Sequence, residues 1–269
     1  MAILSFGIPL AFLFVPARER FLKDLSGLSG ADVLIFDLED SLKEGEKDEG
    51  LKLLLSLDGS KRPENQKWYA RLNSDRLEKE LSDLKGSCLQ GYMLPKFEGT
   101  DVLDRFEDLI GEREIAALVE TPAGIAALET FSGDKRIRAL AFGAEDFCAC
   151  LNVENNPLAT AYARSKLVLY SALNKKISLD MISREFKDRE AFKEDLIFSM
   201  KTGFKGKLLI HPMQLEVIEE IIADVPGEEI DAIIEAYEKD PSGAVKIDGR
   251  LYERMHIERL RQLVKKESI

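Results

Sequence analysis

Short runs of β-branched, aromatic and leucine residues recur along the chain, and between them apolar positions fall at helical spacing. The strand-like runs are Leu10–Val15, Val33–Leu38, Lys67–Leu72, Gln90–Leu94, Ile115–Val119, Ala139–Gly143, Ile177–Met181 and Lys207–Ile210. Amphipathic helical stretches are expected over Glu19–Leu28, Glu46–Ser56, Asp75–Leu84, Asp101–Ile110, Ala123–Phe131, Pro157–Asn174, Asp188–Thr202 and Pro212–Ala223. A strand followed each time by a helix is the pattern of parallel strands joined by crossover helices.

Eight such units predict an α/β chain folded as a closed (β/α)8 barrel of the TIM type. The rival is an open doubly wound sheet, but no Gly-x-Gly-x-x-Gly turn follows any strand, so dinucleotide binding has no support. The barrel is expected over residues 1–227, with residues 228–269 as a C-terminal helical extension. In that extension a polar link, Lys239–Gly249, separates two helical stretches. Leu251, Met255, Ile257, Leu260 and Val264 recur at helical spacing in the second, an apolar side that needs burial against the barrel or a neighbouring subunit.

Composition narrows the function classes. The chain has 269 residues, 45% hydrophobic and 32% charged, enough for a full core in one domain. Its net charge is −11 with Lys and Arg spread among acidic residues, so it has no basic stripe to track nucleic acid. A local pair such as Arg18 and Arg20 can still hold a phosphorylated small molecule. Three cysteines, Cys88, Cys148 and Cys150, form no even framework, which points to a reducing compartment and to small apolar fillers. The apolar start, Ala2–Val15, lacks a basic leader and contains Gly7 and Pro9, so it reads as a strand rather than a signal peptide. No stretch approaches the roughly 18 apolar residues of a membrane span, which leaves the cytoplasm as the expected location.

In such barrels the active site lies at the C-terminal ends of the strands. Polar residues concentrate there: Asp37, Glu39 and Asp40 after strand two, Arg71 and Asn73 after strand three, Glu120 and Thr121 after strand five, Glu145 and Asp146 after strand six, His211 after strand eight. Glu120 and Asp146 would converge from adjacent strands. Two close carboxylates need a cation or a proton between them, and an oxygen-only set suits Mg²⁺ better than Zn²⁺. The alternative is a carboxylate pair held by Arg or backbone amides. Arg71 either clamps a substrate carboxylate with its planar fork or neutralises Asp37, Glu39 and Asp40. Asp37 and Glu39 alternate along a strand and so share a face, from which they could orient Arg71 or metal-bound waters. Lys96 could form a Schiff base with a keto acid, a reading ranked below the metal.

The ordered series of motifs resembles the citrate lyase β-subunit family within the HpcH/HpaI aldolase superfamily. It runs Phe14-Val15-Pro16 with Glu19-Arg20, Asp37-Leu38-Glu39-Asp40 with Glu46-Lys47, Arg71-Leu72-Asn73, Met93-Leu94-Pro95-Lys96 and Glu120-Thr121-Pro122. It continues through Phe142-Gly143-Ala144-Glu145-Asp146, Tyr162-Ala163-Arg164-Ser165, Gly206-Lys207, Ile210-His211-Pro212 and Gln214. The resemblance implies a Mg²⁺-dependent carbon–carbon lyase with Glu120 and Asp146 as metal ligands, Arg71 on the substrate carboxylate, and Glu39 and Asp40 assisting. Its substrate would be a 3-hydroxyacyl thioester (citryl, malyl or citramalyl on coenzyme A or acyl carrier protein), cleaved to an acyl thioester and a 2-keto acid. Arg18 and Arg20 would meet the carrier's phosphates. The resemblance further implies a homo-oligomer, a trimer, in which the segment after Asp248-Gly249 reaches a neighbouring active site, with Glu253 where the family has Asp. It also allows for a subunit of a larger lyase complex. Rival readings are a Mg²⁺-dependent aldolase acting on free keto acids and a catalytically idle barrel used as a binding module.

Overall fold

The computed structural model describes residues 9–184, 186–223, 227–240, 244–247, 250–253, 257 and 261. Strands β1 (Leu10–Pro16), β2 (Val33–Asp37), β3 (Lys67–Arg71), β4 (Gly91–Leu94), β5 (Glu114–Val119), β6 (Ile137–Phe142), β7 (Ile177–Asp180) and β8 (Gly206–Leu209) pair in chain order. All pairings are parallel, and β8 returns to β1 with Leu10 opposite Gly206, which closes the barrel. The eightfold alternation in the sequence thus marks a (β/α)8 barrel.

The two-residue period of the strands splits the interior into two cores. Phe12, Ile35, Tyr69, Met93, Leu118 and Leu208 face inward and fill the barrel. Leu13, Leu34, Ala70, Tyr92, Leu140 and Leu209 face outward and pack under the helices in a larger cluster. These helices are α1 (Glu19–Leu22), α2 (Lys47–Leu55), α3 (Leu77–Leu84), α4 (Asp101–Arg105), α5 (Glu107–Ile110), α6 (Pro122–Phe131), α7 (Ala144–Cys150), α8 (Pro157–Leu173), α9 (Arg189–Thr202) and α10 (Pro212–Ala223), with α11 (Gly227–Lys239) following.

Local chemistry sets their ends. Asn156 caps α8 by accepting the Leu158 and Ala159 amides, each at 3.0 Å, with Pro157 at the first helical position. Asp188 caps α9 through the Ala191 amide at 3.0 Å, and Gly203, at φ 108°, ends that helix in the left-handed region. Behind β7 and β8 lies a buried ionic cluster. Arg164 of α8 pairs with Asp180, and Lys207 reaches Asp195 at 2.9 Å and Ser199 at 3.1 Å on α9, so the charges of two helices and two strands cancel out of water.

Several expectations need correcting. Glu19–Leu28 is one short helix followed by a 3-10 turn at Ser26–Leu28, because Asp24 accepts the Ser26 amide at 2.9 Å and diverts the backbone into a local turn. Asp101–Ile110 is broken into α4 and α5 at Phe106. Helix α7 was not anticipated. In the extension, Arg250–Glu253 is not helical but a strand, β10, antiparallel to β9 (Ala244–Ile247). Ile257 is helical and buried with Ile230 and Ile233 in a third apolar cluster separate from the barrel cores, while Asp248, Gly249, Met255, Leu260 and Val264 lie outside the described residues. Cys148 is buried, but Cys150 is exposed and fills nothing. Among the described residues no helix is long and apolar enough to cross a membrane.

Candidate active site

A cavity of about 360 Å³ opens at the C-terminal ends of the strands, where the barrel geometry places ligands. Its best-organised feature starts from strand register. Asp37 ends β2, Arg71 ends β3, and the two are opposite each other in the ladder. The Arg71 guanidinium therefore donates Nε to Asp37 Oδ1 at 2.7 Å and Nη2 to Oδ2 at 2.8 Å. The Glu39 and Ser41 amides each donate to the same carboxylate at 3.0 Å. Burial opposes ionisation of Asp37, but Arg71 and these amides override it and hold the carboxyl below its usual range. The Phe14 ring lies 4.8 Å beneath the guanidinium and completes its frame.

The third nitrogen, Nη1, faces the mouth. It donates to Asp40 Oδ2 at 2.9 Å and lies 3.3 Å from Glu39 Oε2. Arg71 therefore meets all three acids, Asp37, Glu39 and Asp40, as the neutralising reading expects, and it also lines the cavity. The expected shared strand face of Asp37 and Glu39 is not seen, since β2 ends at Asp37 and Glu39 follows in a bend. Asn73 ties the ends of β2 and β3 together, donating Nδ2 to the Leu38 carbonyl at 2.9 Å and accepting from Lys47 Nζ at 2.6 Å.

Glu120 follows β5, and its Oε1 accepts the Lys96 amide at 2.8 Å. Gly143, at the end of β6, makes room for it: a Cβ there would lie 2.5 Å from Glu120 Oε2. Asp146 stands in the first turn of α7 rather than on β6, a position that the helix dipole favours for an acid. Glu120 and Asp146 both line the cavity. Burial, with the charges of Asp146 and Asp40 adding to it, pushes Glu120 up to about 7. Burial likewise pushes Glu39 up to about 8, and its Oε2 is buried without a hydrogen bond.

A crowded, oxygen-only set of carboxylates in which Glu120 and Glu39 resist ionisation is what a hard dication relieves, so these residues fit Mg²⁺. Among the described residues no three His, Cys, Asp or Glu converge as a metal cage. The pair Glu120 and Asp146 would instead hold an ion that keeps waters or a chelating substrate, as Mg²⁺ usually does.

The remaining candidates are more peripheral. The Lys96 side chain is exposed, and its contribution to the site is its backbone amide, placed by a left-handed φ of 50°. Arg18 pairs with Glu46 at 2.8 Å, and Arg20 is exposed over Phe21; neither lines the cavity. Glu253 lies in β10. Sequence reasoning missed Asn155 and Arg184, which both bind Glu145 beside Asp146, the first at 2.9 Å. The Asn-Asn-Pro run signals only the cap made by its second residue.

Comparison with known proteins agrees with this geometry. The (3S)-malyl-CoA thioesterase of Cereibacter sphaeroides is 28% identical over 96% of this chain and 94% of its own length. The citrate lyase subunit beta of Escherichia coli is 27% identical over 96% of this chain and 93% of its own. A solved citrate lyase beta subunit from M. tuberculosis, complexed with oxaloacetate and magnesium, superposes with a TM-score of 0.66 at 27% identity, covering 82% of this chain and 98% of that one. Residues 10–212 match the HpcH/HpaI aldolase/citrate lyase profile. The chain therefore belongs to the HpcH/HpaI aldolase/citrate lyase family.

Proposed function

We propose that the chain is a Mg²⁺-dependent carbon–carbon lyase that cleaves a 3-hydroxyacyl thioester, on coenzyme A or acyl carrier protein, to an acyl thioester and a 2-keto acid. The observation that carries this reading is the meeting of Glu120, Asp146 and Arg71 in one cavity. The relatives add support through their own names and ligands: citrate lyase subunits, a malyl-CoA enzyme, and a beta subunit holding oxaloacetate and magnesium.

Glu120 and Asp146 would hold the ion. When bound, Mg²⁺ supplies Lewis acidity to the substrate's hydroxyl and adjacent carboxylate. Arg71 orients that carboxylate through Nη1, and Asp37 fixes the plane of the guanidinium. Asp40, whose side chain is 76% exposed, yields its place at Nη1 when substrate arrives. Glu39 holds or moves a proton at Oε2, an oxygen with no competing hydrogen bond. As the substrate's hydroxyl gives its proton to Glu39 and becomes the keto group, the carbon–carbon bond breaks and leaves its electron pair on the thioester half as an enolate, which must be protonated; Glu253 of a neighbouring subunit is the proposed donor. Arg18 and Arg20 are assigned to the carrier's phosphates.

A cytoplasmic homo-oligomer, a trimer, fits this scheme, and membership of a larger lyase complex is compatible with it. Leu158, Tyr162, Leu169 and Leu173 form an exposed apolar stripe along α8 that association would cover. Residues 228–269 are assigned to an extension on the barrel of residues 1–227.

The thioesterase relatives favour a second reading, hydrolysis of the thioester without carbon–carbon cleavage. Incubating the Mg²⁺-loaded protein with malyl-, citramalyl- and citryl-CoA separates the two. A lyase yields acetyl-CoA and a keto acid, a thioesterase yields free coenzyme A and a hydroxy acid. Turnover of none of them, with free hydroxy-keto acids cleaved instead, would select the aldolase alternative.

A further inference from the structure

Glu80 is a buried carboxylate that the proposed chemistry leaves unused. It stands in α3, 1% exposed, and faces Asn73, which is equally buried just beyond the end of β3. Its Oε2 accepts the Asn73 backbone amide at 2.8 Å, and its Oε1 accepts Asn73 Nδ2 at 2.6 Å. Two acceptors toward two donors suit an ionised carboxylate. On the other side of the same amide, Lys47 Nζ donates to Asn73 Oδ1 at 2.6 Å. An anion at Nδ2 and a cation at Oδ1 leave the Asn73 amide one orientation, because turning it over would set donor against donor and acceptor against acceptor.

In that orientation the second Nδ2 hydrogen meets the Leu38 carbonyl, 2.9 Å away. This carbonyl and the Glu39 amide belong to one rigid peptide plane. Its N–H edge donates to Asp37 Oδ1 at 3.0 Å, and its C=O edge is held by Asn73, so the plane from which the Glu39 side chain departs is fixed at both edges. Glu39 needs that support. Asp37 is tied to the Arg71 guanidinium by two hydrogen bonds, whereas Glu39 Oε2 lies buried 3.3 Å from Nη1 without one.

We propose that Glu80 and Lys47 are positioning residues: by fixing Asn73, and through it the peptide plane between Leu38 and Glu39, they set the place of Glu39 Oε2 beside Arg71. The use of Glu39 as a proton acceptor rests on the thioester-lyase reading, but its placement is a property of the fold and can be measured without turnover.

Glu80→Gln keeps the shape but offers Asn73 one acceptor and one donor. In this variant kcat for the cleaved thioester should fall by about 10²-fold while KM and Mg²⁺ affinity change by less than about threefold, because Arg71, Glu120 and Asp146 keep their own contacts. Lys47→Met keeps the apolar stem, removes the cation and should lower kcat severalfold by the same route. NMR of protein labelled at the glutamate carboxyls reads the placement itself: the Glu39 resonance, identified by its loss in Glu39→Gln, should shift in both variants. An unchanged kcat, or a fall in kcat matched by equal losses in substrate and Mg²⁺ binding, would overturn the proposal, as would a Glu39 resonance that stays in place. If Glu80→Gln does not fold, Lys47→Met decides by the same readouts. Wild-type protein that cleaves none of malyl-, citramalyl- and citryl-CoA would overturn the lyase reading, and the resonance would then decide the positioning alone.

Discussion

Arg71 and Asp37 are ladder neighbours on β3 and β2, and the guanidinium's Nε and Nη2 meet the two carboxylate oxygens at 2.7 and 2.8 Å with both side chains buried. Breaking such a pair from one side strands a charge. Asp37→Asn should therefore cost about 3 kcal/mol in denaturant unfolding, because the buried cation loses its two-pronged, fully buried partner and keeps only Asp40 and Glu39 at Nη1. Arg71→Lys keeps the charge but loses the planar fork, so kcat/KM should fall by about 10²-fold or more. Near-native turnover in Arg71→Lys would remove the positioning role from this residue.

Metal binding should depend on Glu120 and Asp146. Alanine at either position is expected to abolish Mg²⁺ binding in calorimetry, since a two-carboxylate site has no spare ligand. Gly143→Ala tests the same site from behind. Its φ of −98° suits any residue, yet the added carbon would fall 2.5 Å from Glu120 Cβ and Oε2. The variant should fold and bind Mg²⁺ at least 10-fold more weakly, the carboxylate having been displaced from its ligating position. Unchanged affinity in all three variants would move the ion elsewhere.

The buried carboxylates also predict how stability varies with pH. Glu120 rises from 4.5 to about 7 and Glu39 from 4.5 to about 8, so the metal-free folded protein keeps protons that the unfolded chain releases. Stability should then fall as pH rises through this window. Asp37 is lowered from 3.8, so its contribution is complete before the window begins and leaves the slope unaltered. Mg²⁺ binds the deprotonated forms, so the rise in Tm on adding it should grow between about pH 5 and pH 8. A Tm increment that shrinks with pH would contradict the assignment.

Chelation should inactivate the enzyme, and borohydride in the presence of pyruvate should trap no adduct at Lys96. The Lys96 side chain is exposed and outside the cavity, while its amide holds Glu120 at 2.8 Å. Lys96→Ala should accordingly be tolerated, because a backbone donor survives the substitution. A mass shift on Lys96 after reduction would reverse this ranking.

The barrel was legible because each strand is a compact apolar run between turn signals, and strand ends are where polar residues stand out. Glu120, Arg71 and Asp37 could be placed from that rule alone. Asp146 was brought to the same mouth by it, but its place on a helix was not legible, since α7 has seven residues and its Phe147, Cys148 and Cys150 make no recognisable period. The pairing of Arg71 with Asp37 was one of two open alternatives, because sequence shows which strands end in charge but not which atoms meet. In the tail, Gly227–Lys239 is the helix expected, but the start of the second stretch was misread for a related reason. Leu251, Met255 and their neighbours fit a helical period, yet Asp248-Gly249 between β9 and β10 is also the strongest short signal for a hairpin. Over four residues the two periods are indistinguishable, and cross-strand pairing decides.

The three-isoleucine cluster under α11 has a consequence for cooperativity. Ile230, Ile233 and Ile257 bury one another apart from either barrel core, so the segment that would serve a neighbouring subunit has a small stabilising nucleus of its own. Such a unit opens at lower free energy than the closed barrel, and its amides should exchange with solvent while those of β1 to β8 remain protected. Assembly and catalysis would then draw on two separate reserves of stability, one that can be melted and re-formed as subunits meet, and one that stays folded throughout.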